Sequence, residues 1–244
     1  MTVPDIQLEM KNNIITAIGS IVEPKSGKLV GETDIRHELA SGKGRSLLSV
    51  DKLRFDSAFG PELLTPLTKG VIANVEGSVY GDGRIEWDAN GVRSTGRFGT
   101  DNMNLAAAFG QVDGLSSEIE FTDLLSLESR PSQLARIKSV NPGILALDGQ
   151  IRYELLPGKR VQIEGGSWPF AGGTLLLEPT ILDFDIEKPR RLTFRVEGLD
   201  AGVERVDPLP GIGRGVGGLP GIFEIDPDDA EQVLVKDRPV EAVD

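Results

Sequence analysis

The chain has 244 residues, a formal net charge of −12, one histidine and no cysteine. The missing cysteine excludes disulfides, thiolate zinc sites and cysteine nucleophiles, and a single imidazole excludes His-rich metal centres. The excess of acid argues against nucleic acid as a partner, and 39% hydrophobic residues exclude wholesale disorder.

In chain order, the dominant pattern has period two. Ile6, Leu8 and Met10 alternate with Gln7, Glu9 and Lys11. Alternation begins almost at the first residue, which reads as a segment of something longer. The start carries no basic stretch followed by an apolar run, as a secretory signal does. No run reaches the ~18 apolar residues of a membrane-spanning helix. Pro24 through Gly27 closes a first hairpin. Thr33, Ile35 and Leu39 then oppose Glu32, Asp34, Arg36 and Glu38, with His37 in the apolar phase. Pro61–Gly70 reads as a short helical turn, weakened by Pro66.

Val71, Ala73, Val75, Gly77 and Val79 form the next apolar face. Gly81-Asp82-Gly83 reads as a hairpin turn, and Asn90-Gly91 as a type I′ turn. Ser116–Leu127 reads as strand, then loop. Ile151, Tyr153 and Leu155 connect through Pro157-Gly158 to Val161 and Ile163. Trp168, Pro169 and Phe170, followed by Gly172 and Gly173, form a glycine-flanked structural corner anchored by aromatics. Leu192, Phe194 and Val196 make a last alternating face.

Residues 201–244 are rich in Gly, Pro and Asp and read as a poorly ordered tail, with one short β piece at Gln232–Val235. One apolar and one wet face per strand predicts an all-β fold over residues 1–200, built as an antiparallel meander.

Chemical motifs weigh little. Gly213 through Gly218 matches G-x-G-x-x-G but lacks the strand before and the helix after it, so it reads as linker. The acids at Asp226–Asp229 lack the placed Gly and Glu of a calcium loop. His37 reads as a packed residue, and Asp183 with Asp185 as the wet side of a strand. Lys188, Arg190, Arg191 and Arg195 read as solvated charge. The expectation is a protein that is not an enzyme, with no cofactor and no metal.

Several blocks are more particular: Gly70-Val-Ile-Ala-Asn-Val-Glu-Gly-Ser-Val, Gly96-Arg-Phe-Gly-Thr-Asp-Asn, Ile119-Glu-Phe-Thr-Asp-Leu-Leu and Ser139-Val-Asn-Pro-Gly-Ile. Val161 through Gly173 and Leu192 through Asp200 add to them. Together they resemble the YdbH-type proteins of Gram-negative bacteria (the older label is "dicarboxylate transport"), relatives of TamB and the AsmA-like group. The resemblance covers about residues 1–200 and leaves the tail unmatched.

It implies an extended, curled antiparallel β-sheet, a taco-like groove that shields phospholipid acyl chains between inner and outer membrane. It further implies a periplasmic setting, cell-envelope protein partners at either membrane, and inner-membrane anchoring through a segment not present in this chain. The groove candidates are Ile6, Leu8, Ile35, Val71, Val75, Val79, Ile151, Tyr153, Val161, Ile163, Leu192, Phe194 and Val196. Alternation serves equally a closed structural or interaction β-module with a dry core, so both readings stand at this point.

Overall fold

The structure is a computed structural model. It describes residues 1–69, 72–107, 110–141, 145–183 and 192–198, and two short strands at 222–225 and 233–235. The strands in chain order are β1 (Gln7–Lys11), β2 (Ile14–Val22), β3 (Leu29–Glu38), β4 (Gly44–Phe55), β5 (Ile72–Asp88), β6 (Gly91–Ala107), β7 (Gly110–Asp123) and β8 (Glu128–Ser129). They continue as β9 (Gln133–Asn141), β10 (Ala146–Leu156), β11 (Arg160–Phe170), β12 (Gly173–Leu177), β13 (Thr180–Asp183), β14 (Leu192–Glu197), β15 (Ile222–Ile225) and β16 (Val233–Val235). Two 3₁₀ turns, Pro61–Leu63 and Pro66–Thr68, join β4 to β5. A proline opens each turn, where its missing N–H costs nothing.

All these strands form one antiparallel sheet, in which 14 strands pair in chain order and β8 and β13 flank the path. At ~4.8 Å per strand the path is roughly 60 Å long. The sheet is therefore the all-β meander that alternation predicts, with longer strands: β5 and β6 have 17 residues each. The Pro24–Gly27 turn is held by Glu23, whose carboxylate accepts from Ser26 N at 2.7 Å, Ser26 Oγ at 2.8 Å and Lys25 N at 3.1 Å. Leu156 and Arg160 close the Pro157-Gly158 hairpin. The expected strand then loop over Ser116–Leu127 is β7 and the turn after it.

Two turn expectations are corrected. Gly81-Asp82-Gly83 lies inside β5, paired to both neighbouring strands. Gly81 has φ +147°, and a Cβ there would stand 2.2 Å from the Arg97 carbonyl oxygen. That glycine serves a close backbone approach, which leaves the same sequence signal as a turn. The Asn90-Gly91 hairpin exists, but its loop is Ala89-Asn90, with Asp88 paired to Gly91. Asp88 Oδ1 accepts from Asn90 N at 2.7 Å, so an Asx turn takes the place of type I′.

The register aligns one apolar face through the sheet. Ile85 pairs with Ser94, Phe98 with Ile119, Ser117 with Ala135, Ile151 with Gly166, and Leu177 with Phe194. The long strands β4, β5, β6, β7, β9, β10 and β11 each change phase once. Val50 and then Leu53 point inward, as do Thr100 and then Met103, Val112 and then Leu115, and Ala146 and then Ile151. The switches fall at Asp51-Lys52, Asn74 (φ +50°), Asp101-Asn102, Gly114 (φ +64°), Asp148 (φ +55°) and Gly165 (φ +145°). Each is a local kink, and kinks in register across neighbours bend a sheet. Asn, Asp and Gly occupy the positive-φ positions among these switches because they tolerate that backbone.

The opposite face is wet. Arg97 approaches Glu118 at 3.5 Å and Glu120 at 3.9 Å, and Arg195 meets Glu178 at 2.9 Å. Such exposed pairs are worth at most about 1 kcal/mol each. Buried Leu, Val and Phe side chains on the inner face, at about 1.5–3 kcal/mol each, carry the stability. Val71, Asp185, Lys188, Arg190, Arg191 and the Gly213–Gly218 string lie outside the described residues, as does the tail apart from the backbones of β15 and β16. The expected piece at Gln232–Val235 corresponds to β16, while β15, Ile-Phe-Glu-Ile, was not anticipated although its residues suit a strand.

Candidate functional site

The curled sheet encloses a trough of about 670 Å³, within the range of small-molecule and lipid sites. Its wall comes from Val79 on β5, Phe98 and Met103 on β6, Leu115 and Ile119 on β7, Tyr153 on β10, and Val161 and Ile163 on β11. Pro61 of the first 3₁₀ turn and Leu64 just after it also line it, as does Leu124 from the loop after β7. Leu124 lies over Gly83, where a Cβ would stand 2.7 Å from its Cδ2. Asp123 fixes that loop: its carboxylate accepts from Ser94 Oγ, from Leu125 N at 3.0 Å and from Ser126 Oγ at 3.0 Å. The Ser94 hydroxyl, then the Ser126 bonds, hold its pKa below the ordinary carboxylate value against the opposing effect of burial.

The wall is almost wholly hydrocarbon. Its hydroxyls include Thr100, Ser117 and Tyr153. Burial pushes the Tyr153 phenol above its ordinary pKa, partly offset by its bond to Ser117. Among the described residues no three His, Asp or Glu side chains gather as a metal site, and no helix is long and apolar enough to cross a membrane. The arrangement offers an apolar surface.

Around Trp168, near the end of β11, the same face is filled. Trp168, 1% exposed, packs on Phe194 at 6.3 Å between ring centroids. The space left among Trp168, Leu177, Leu192 and Phe194 is about 10 Å³, too small to hold a guest.

The family model for the intermembrane phospholipid transport protein YdbH matches residues 20–203. The chain belongs to the YdbH-like family. No curated protein and no solved structure matches it.

In this YdbH-like chain, Val79, Ile151, Tyr153, Val161 and Ile163 stand together in the trough wall. Val75, Leu192, Phe194 and Val196 are buried in the adjoining packed core. Ile35 is half-exposed, opposite Ser46. Ile6 and Leu8, 43% and 60% exposed, lie outside the trough wall; register places Leu8 opposite Ala17, on the same face but at the sheet edge, where none of the described residues covers it. The Trp168-Pro169-Phe170 corner is a strand end. Ala171 (φ +48°) and Gly172 (φ +81°) turn the chain, and Phe170 pairs with Gly173. His37 is packed as expected: Trp87 Nε1 donates to its Nδ1 at 3.2 Å.

Sequence reasoning missed Phe98, Thr100, Met103, Leu115, Ile119 and Leu124. Asp101-Asn102 and Gly114 mark the phase switches that hide them. A polar pair or glycine inside an otherwise alternating run was the available signal.

Proposed function

We propose that this chain shields phospholipid acyl chains in its trough, as one section of a conduit between the inner and outer membranes of the cell envelope. The observation that carries the reading is the apolar trough itself, open on one side of a sheet whose other face is charged. Hydrocarbon leaving a bilayer loses ~0.8 kcal/mol per exposed methylene, so a full acyl chain stands on the order of 10 kcal/mol above its buried state. A passive wall that removes this cost needs no catalytic group. Family membership supports phospholipid as the cargo. A sheet of this length cradles lipid locally and does not span between membranes, so the chain acts with further segments or envelope partners.

The test is to purify the 244-residue chain and analyse organic extracts by mass spectrometry. Co-purified phospholipid is the expected result. A lipid-free protein that also ignores a fluorescent phospholipid overturns the reading in favour of a structural β-module.

A further inference from the structure

We propose that β1 is a pairing edge for a second copy of this chain, which joins it antiparallel about a two-fold axis at Leu8. The inference goes beyond the lipid-shielding reading and stands on register and charge alone. β1 ends the sheet, and among the described residues no strand pairs with its outer side. Ile6, Leu8 and Met10 are all exposed along it. An unpaired strand edge with apolar side chains is a template for another strand.

The turn after β1 fixes which backbone groups are free. Asn12 (φ +50°) and Asn13 (φ +59°) form a two-residue hairpin loop, so Lys11 and Ile14 close it as a hydrogen-bonded pair. Hydrogen-bonded and non-bonded pairs alternate along antiparallel strands. Lys11, Glu9 and Gln7 therefore bond to β2, opposite Ile14, Thr16 and Ile18. Leu8 and Met10 turn their N–H and C=O toward the open edge.

A second β1 supplies the matching groups, and charge selects the register. A centre at Glu9 sets two carboxylates directly opposite each other, which is unfavourable. A centre at Leu8 sets Asp5 opposite Lys11, Ile6 opposite Met10 and Gln7 opposite Glu9, each twice by symmetry. Acid then meets base at both ends. The apolar residues stay together on the face that carries Ala17. Centres nearer either end of β1 pair fewer residues. The interface is isologous, so it closes at two copies, and the two inner faces become continuous across Leu8.

The experiment follows the full chain by sedimentation at rising concentration, beside single-cysteine variants, which report cleanly because the chain has no cysteine of its own. The wild type should show a monomer–dimer equilibrium that stops at two copies. Leu8→Cys should oxidise to a linked dimer, since opposed Cα atoms about 5.5 Å apart suit a disulfide. Glu9→Cys, which faces Gln7 in this register, should not. Leu8→Pro removes an outward N–H without touching the β1–β2 ladder, and should leave a folded monomer by circular dichroism. Lys11→Glu should weaken the dimer on the order of tenfold, and Asp5→Lys added to it should restore pairing. A wild type that stays monomeric, growth beyond two copies, or linkage through Glu9→Cys and not Leu8→Cys overturns the assignment. If Leu8→Pro unfolds, the cysteine pair and the charge swap decide. None of these outcomes bears on lipid pickup, which is measured separately.

Discussion

The Trp168 indole lies directly on the backbone of Gly149: a Cβ built on Gly149 would stand 2.0 Å from Trp168 Cδ1 and Nε1. Gly149 on β10 is thus the floor beneath the largest fully buried side chain of the protein. This contact plugs one end of the inner face and marks where the trough stops.

Gly149→Ala should destabilise the fold by about 2 kcal/mol or more, because the clash is with a rigid ring in a filled core. Trp168→Ala should cost about 3–5 kcal/mol through the cavity it leaves. Urea unfolding followed by circular dichroism measures both. Neutral behaviour of Gly149→Ala would contradict the packing described.

Val161→Glu should abolish phospholipid pickup, because the charge enters the trough wall from a half-buried position that the fold tolerates. Gln162→Glu, one residue along on the outer face, should leave pickup nearly unchanged. Lipid per protein in organic extracts is the measure, with thermal melting as the folding control. Val75 and Phe194, each 4% exposed, are poor sites for this test, because a charge there breaks the core itself.

Gly81→Ala and Gly27→Ala separate two uses of glycine. Gly27 has φ +68° with nothing near a new Cβ, so alanine there should cost about 1 kcal/mol of backbone strain. Gly81 adds a 2.2 Å clash with the Arg97 carbonyl and should cost clearly more. Equal losses in denaturant midpoint would show that the strand interior gives way freely at Gly81.

Asp123 and Glu23 both have folded-state pKa values lowered by hydrogen bonds, Asp123 chiefly by Ser94 and Glu23 chiefly by the Ser26 backbone N–H. A lowered carboxylate pKa stabilises the fold above the unfolded value of about 4 and is lost as pH falls through the folded value. Stability should therefore decline on acidification below about pH 5. Asp123→Asn should flatten part of that decline and loosen the loop that holds Leu124 over Gly83. Urea midpoints between pH 7 and pH 3 measure the first effect, and amide exchange of residues 124–127 the second.

Much of the architecture was legible because a strand with one buried face writes its own alternation. Ile151, Tyr153, Val161 and Ile163 follow that rule within single unbroken runs, and they stand where the pattern puts them. Phe98 and Met103 do not share a parity, so a reading confined to one phase finds only one side of the kink. Gly81-Asp82-Gly83 misled for a related reason: glycine marks both a turn and a close backbone approach, and only the neighbouring strand distinguishes them. Leu8 carries the correct face but lies at an edge, and alternation says nothing about what covers a face.

The sequence by itself determined the all-β meander, the wet outer face, and the hairpins at Pro24–Gly27 and Pro157-Gly158, because these depend on residues close along the chain. Only the tertiary structure decided where the inner face stays an open trough and where Trp168 fills it. That outcome follows from kinks that register brings level, such as Gly114 and Asp148 on either side of Lys138 in β9, and from rings crossing to glycines far away in sequence. Such alignment is a property of hydrogen-bond register between strands, which no single segment encodes.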